Sequence, residues 1–153
     1  MRSKILAAFV ISVCTVLFAA DAAAQKRASV SGPEVTGTFR MNFTGKFKGN
    51  SNEIQIQALG RGKLRIGMML VYPYFVGKEQ TVNIGILDGE ASITGDTAVY
   101  ESDEFGECRI IITFVRPGTI KVEQQASDFA CGFGHNVTAD GTYTKVSSAK
   151  PKF

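Results

Sequence analysis

The feature that most restricts this chain is alternation. From Val35 the odd positions read Val35, Gly37, Phe39, Met41, Phe43, Gly45 and Phe47, while the even ones read Thr36, Thr38, Arg40, Asn42, Thr44, Lys46 and Lys48. Successive side chains of an extended strand point to opposite faces, so this run puts one face in a core and the other in water. The same pattern recurs downstream. Gly49-Asn50-Ser51-Asn52 is a turn cluster, and Ile54, Ile56 and Ala58 form the next inward set. Gly60-Arg61-Gly62 predicts a tight hairpin, after which Leu64, Ile66, Met68, Leu70 and Tyr72 line a third strand. Pro73 ends that strand or marks a sheet edge.

A loop around Gly77 leads to an inward set of Val82, Ile84 and Ile86. At Leu87-Asp88-Gly89 the phase slips, which predicts a bulge or turn before Ala91 and Ile93. Thr94-Gly95-Asp96-Thr97 is a turn, followed by Ala98, Tyr100 and Ser102, and then by Cys108, Ile110, Ile112 and Phe114. Arg116-Pro117-Gly118-Thr119 is a tight turn, with Ile120, Val122 and Gln124 answering across it. Val137 to Val146 supplies the last strand. Eight or nine short-linked strands without a helix of two turns predict an all-β, antiparallel meander closing into a small barrel, with a β-sandwich as the alternative. The first and last strands carry related steps, Gly37-Thr38-Phe39 and Gly141-Thr142-Tyr143. Pairing them would close the sheet and hide its edges.

Ahead of the alternating region, Arg2 and Lys4 precede an apolar run from Ile5 to Ala20, and Ala22-Ala23-Ala24 supplies small residues before Gln25. These are the three parts of an export signal, expected over residues 1–24. The run is shorter than the roughly 20 residues that span a bilayer, so no transmembrane anchor is expected after cleavage. An N-terminal arm at 25–34, a barrel domain at 35–146 and a flexible basic tail at 147–153 complete the expected organisation, with a periplasmic or secreted location. Setting Arg2, Lys4 and Asp21 aside from the 17 basic and 14 acidic residues leaves 15 and 13, a net charge of about +2. Nucleic acid, which needs many cations on one face, is therefore not an expected partner. Cys108 and Cys131 are the two remaining cysteines, and an isolated pair in an oxidising compartment bonds. Closing that loop is worth roughly 3 kcal/mol in the chain-entropy account. With Pro117-Gly118 at a hairpin tip, Cys108 faces the neighbourhood of Asp128, so the bridge should pin the following glycine-rich loop to the start of the Cys108 strand.

That loop, Asp128-Phe129-Ala130-Cys131-Gly132-Phe133-Gly134-His135-Asn136, is the most distinctive stretch. Phe129, Phe133 and His135 are candidates to line a pocket mouth, and the plainer reading is a fastened turn whose aromatics cap the core. Tyr72 and Tyr74 add aromatics where a strand gives way to a loop, either facing a small apolar ligand or plugging the barrel end. Met69 and Ile111 fall on outer faces, as do Val71 and Val115, and make a candidate partner-binding patch. Seven acidic residues fall between Asp88 and Glu107 with no Lys or Arg among them. Asp103, Glu104 and Glu107 could ligate calcium, but their spacing matches no EF-hand loop. No nucleophile elbow or zinc motif is present, so no catalytic residue, metal or cofactor is assigned.

Cys108-Arg109-Ile110, Pro117-Gly118-Thr119-Ile120-Lys121-Val122 and the segment from Cys131 to Tyr143 resemble small exported bacterial proteins of unassigned function. The resemblance implies an envelope setting and brings no activity with it. The architecture also resembles calycin-type barrels, although the chain has no Trp to supply the Gly-x-Trp signature of lipocalins. The expected role is a non-enzymatic binding protein engaging a macromolecular partner, for example as an inhibitor of an envelope-directed hydrolase. A carrier of a small apolar ligand inside the barrel is the alternative, and a hydrolase using scattered acids and His135 stands third.

Overall fold

The computed structural model describes residues 29–153. The export segment expected at 1–24 and the first residues of the arm lie outside the described residues. A single helical turn, α1 (Gly32–Val35), precedes eight strands: β1 (Gly37–Asn42), β2 (Ser51–Gly60), β3 (Lys63–Val76), β4 (Glu79–Thr94), β5 (Thr97–Ser102), β6 (Cys108–Arg116), β7 (Thr119–Gln124) and β8 (Gly141–Ser147). Each strand pairs antiparallel with the next, and β8 returns to β1, so the sheet is a closed barrel. Closure needs two backbone positions that only glycine fills. Gly37 and Gly141 have φ of +147° and +150°, and each sits opposite the far end of the other strand, Gly37 against Ser147 and Gly141 against Met41.

The interior is packed with side chains. Phe39, Ile54, Ile56, Leu64, Ile66, Met68, Leu70, Ile110, Ile112, Phe114, Ile120 and Tyr143 are all fully buried in one cluster. Burial of each large aliphatic side chain contributes roughly 1.5–3 kcal/mol. The cross-strand ion pairs Arg40–Glu53, Arg65–Asp88 and Arg109–Glu101, and the pair Lys121–Glu123 along β7, sit on the solvated face, where screening by water leaves such pairs little net contribution. Packing of the interior therefore holds the barrel. Two buried polar groups are satisfied within it. The Tyr143 hydroxyl donates to the Ala139 carbonyl at 2.9 Å and is hydrogen-bonded by Asn52, whose Oδ1 accepts the Val71 N–H at 2.8 Å.

Two expectations from the alternation are corrected, and the two readings of Pro73 are decided. The first inward run stops at Met41, because past Asn42 the segment loses its neighbours. One bond from Phe43 N–H to the Asn50 carbonyl closes the connection, which turns through a 3-10 helix at Gly45–Phe47. Phe47 instead stacks on Phe75, 5.7 Å between ring centres. Second, β4 has no bulge or turn at Leu87-Asp88-Gly89: it pairs with β3 without a register shift from Glu79 to Ser92. Its inward residues are Gly85, Leu87, Gly89 and Ala91, so Ile84 and Ile86 point outward, 53% and 66% exposed. The two glycines disguised the inward phase because the space in front of them is filled by other elements, Phe133 before Gly85 and Tyr100 before Gly89. Of the two readings of Pro73, the sheet edge holds and the strand end does not. Pro73 lies beyond the last residue paired with β2, Met69, where the strand has a neighbour only in β4, so the missing N–H breaks no ladder.

The meander gathers its connections at two ends. At one end lie the short turns after β2, β4 and β6, together with α1, whose Val35 joins the core. Lys145 holds α1 there by donating to the carbonyls of Pro33, Glu34 and Thr36, and burial pulls its pKa below the ordinary lysine value. At the other end lie the β3–β4 hairpin and the long β7–β8 connection that carries Cys131. In the segment expected as a flexible basic tail, Phe153 lies against the barrel wall near Gly67, with the Arg65 guanidinium 4.6 Å from its ring centre.

Candidate functional site

The 128–137 connection lies across the second barrel end, and five sets of contacts fix it there. Cys131, in a 3-10 turn at Phe129–Cys131, forms the disulfide with Cys108 at the start of β6. Asp128 organises the turn from within. Its carboxylate accepts the N–H groups of Phe129 at 3.0 Å and Asn136 at 2.7 Å, and its carbonyl accepts those of Cys131 and Phe133. The Gly134 N–H donates to the Ile84 carbonyl at 3.0 Å, covering part of the β4 edge that β5 leaves unpaired, since β5 pairs only with Ser92, Ile93 and Thr94. Asn83 Nδ2 donates to the His135 carbonyl at 2.7 Å. Phe133 and Val137 then drop into the barrel and pack before Gly85, buried with the core.

The sequence-derived candidates divide accordingly. Phe133 turns inward at 3% exposure and caps the core, so it is a plug and offers no contact surface. His135 and Phe129 stay outside, with ring centres 6.1 Å apart and planes within 24°. Tyr72 and Tyr74 project from one face of β3, 6.4 Å apart and also within 24° of parallel. Tyr72, which the alternation placed among inward residues, is 40% exposed because β3 runs past the packed part of the barrel. Together Tyr72, Tyr74, Asn83, His135 and Asn136 line one open cleft of about 520 Å³. Met69 and Ile111 lie elsewhere. Met69 is 61% exposed on the outside of β3, paired across the strand with Ile86, while Ile111 is half-buried on β6.

No Lys, Arg, Asp or Glu lines the cleft. His135 Nδ1 stands 3.8 Å from Asp128 Oδ2, beyond hydrogen-bonding range, and that carboxylate already serves two backbone groups. The pair is therefore not assembled as a base and its orienting acid. A second open cleft of about 480 Å³ lies beside the disulfide, lined by Glu101, Ser102, Asp103, Glu107, Arg109 and Gln125. Part of its charge is internally matched, with Arg109 bonded to Glu101. Among the described residues no three His, Cys, Asp or Glu side chains gather closely enough to hold a metal ion, the acidic 88–107 segment included.

Sequence reasoning missed Asn83, Asn136 and Asp128 as site residues. Asn83 carried a faint signal, a lone amide between Val82 and Ile84 on an apolar strand, whereas the role of Asp128 depends on how the turn folds around it. What the site defines is a packed eight-stranded barrel with a cross-linked loop and an aromatic, largely uncharged cleft at one end. Comparison of the chain with models of known protein families, with curated proteins and with solved structures finds no match in any of the three.

Proposed function

We propose that the protein is a non-enzymatic binding module of the periplasm or extracellular space, engaging a macromolecular partner through the loop end of its barrel. The observation that carries this reading is the contrast between a filled interior and a furnished surface. Fully buried side chains occupy the barrel interior, whereas Tyr72, Tyr74, His135 and Asn136 converge on an open cleft beside the exposed Phe129. The loop is held by a disulfide and by the Asp128 contacts, so little ordering entropy is lost on docking. The 3.8 Å separation of His135 from Asp128 favours binding over hydrolysis. Inhibition of an envelope-directed hydrolase is one form such docking takes.

Affinity capture from envelope extract with the exported chain tests the reading when run beside Phe129→Ala and Tyr72→Ala. Both positions are exposed, so the variants keep the fold. A saturable partner retained by the native chain and lost by either variant is the expected result. Capture of the same set by all three chains discards the loop end as the binding face.

A further inference from the structure

We infer that the cleft formed by Tyr72, Tyr74, Asn83, His135 and Asn136 is a binding site for a neutral saccharide. The inference rests on the binding reading above and names the chemistry of the ligand. Exclusion by charge comes first. No Lys or Arg lines the cleft, so a phosphate, sulfate or carboxylate ligand finds no permanent ion-pair partner. No carboxylate lines it either, so a cationic ligand finds no ion-pair partner among the lining residues. A wholly apolar ligand is disfavoured for the opposite reason. It would strip water from two side-chain amides and an imidazole and return no hydrogen bonds, and each unpaired polar group costs about 1–3 kcal/mol.

What remains is a ligand with a flat apolar face and a rim of uncharged donors and acceptors. A sugar ring has that division: axial C–H groups make an apolar face, and equatorial hydroxyls both donate and accept around the edge. Tyr72 and Tyr74 stand stacked on one strand face and line the cleft with aromatic surface, and the negative face of an aromatic ring attracts polarised hydrogens. Asn83 and Asn136 supply groups that donate and accept at once, the capacity a hydroxyl requires of its partner. Their positions are set in advance. The Asn83 amide is anchored on the His135 carbonyl, and Asn136 takes a left-handed backbone conformation (φ 62°) with its N–H on Asp128. The cleft is open, so it suits a unit within a chain as well as a free end.

The test uses the exported chain with neutral oligosaccharides of glucose, mannose, galactose and N-acetylglucosamine as probes, set against an acidic oligogalacturonate and a proline-rich peptide. Binding is read by calorimetry and by NMR shifts of the Asn83 and Asn136 side-chain amides. At least one neutral oligosaccharide should give saturable shifts confined to the cleft, with the acidic oligomer and the peptide giving none. Tyr72→Ala should weaken that binding about tenfold, and Tyr72→Leu should weaken it equally, because apolar area without a π-face does not replace the ring. Tyr72→Trp should preserve it. No shift across the neutral panel at millimolar concentration, binding unchanged in Tyr72→Leu, or preference for the peptide or the acidic oligomer each overturns the proposal. A neutral panel that fails while Phe129→Ala still abolishes partner capture removes the saccharide and leaves the docking reading standing, whereas loss of both removes the site.

Discussion

A β-carbon on Gly85 would stand 2.8 Å from both the Phe133 ring and a Val137 methyl, and one on Gly89 would stand 2.6 Å from the Tyr100 ring. These two missing side chains make the sockets into which the loop and β5 are packed. Gly85→Ala forces buried groups apart and should cost about 1–3 kcal/mol, read as a lower urea midpoint at an unchanged slope. An unshifted midpoint would mean that the loop yields without strain. Tyr143 makes a second prediction at this scale. Burial pushes its hydroxyl above the ordinary phenol range, so the folded state holds the proton more tightly than the unfolded chain does. Its contribution is complete below the unfolded pKa of about 10 and is lost as pH rises toward the folded value. Lys145, shifted downward, acts in the opposite sense at high pH, but it is common to the native chain and to Tyr143→Phe. The native stability advantage over Tyr143→Phe, measured by denaturant titration, should therefore shrink above about pH 10. A gap constant from neutral pH to about pH 11 would count against it.

Among the elements, the 128–137 connection is the one that sequence and structure describe most nearly alike. Pairing about the Pro117-Gly118 tip predicted that Cys108 and Cys131 would bind the loop to the start of β6, and they do. The ladder runs one residue out of the expected register because it shifts between Thr113 and Arg116. Cys131→Ser should lower stability by about 3 kcal/mol and speed proteolysis near Phe133. Equal cleavage rates would show that Asp128 and the Gly134–Ile84 bond hold the loop unaided. β4 is the element least legible in advance. Its own side chains favour an inward Ile84 and Ile86, and only the rings that fill the glycine sockets explain why the strand faces the other way.

At the scale of the whole molecule, the seam between β1 and β8 decides whether the sheet has edges. Gly37 has φ +147°, and a β-carbon there would collide with the Ser147 carbonyl. Gly37→Val should open the seam and expose two strand edges, giving oligomers by light scattering at a concentration where the native chain stays unchanged. A variant of unaltered size would show that β1 and β8 tolerate the crowding. The solvated wall also carries Met69, Ile84 and Ile86, more apolar surface than the alternation led one to expect. Much of this molecule was readable from the sequence: the antiparallel class, the hairpin turns, the disulfide and most of the core. These depend on period, turn chemistry and cysteine count, which a chain carries locally. Tertiary structure alone decided the facing of β4, the burial of Phe133 and the meeting of Tyr72 and Tyr74 with His135. Each of those depends on side chains distant in sequence competing for one space, and no local pattern records which of them occupies it.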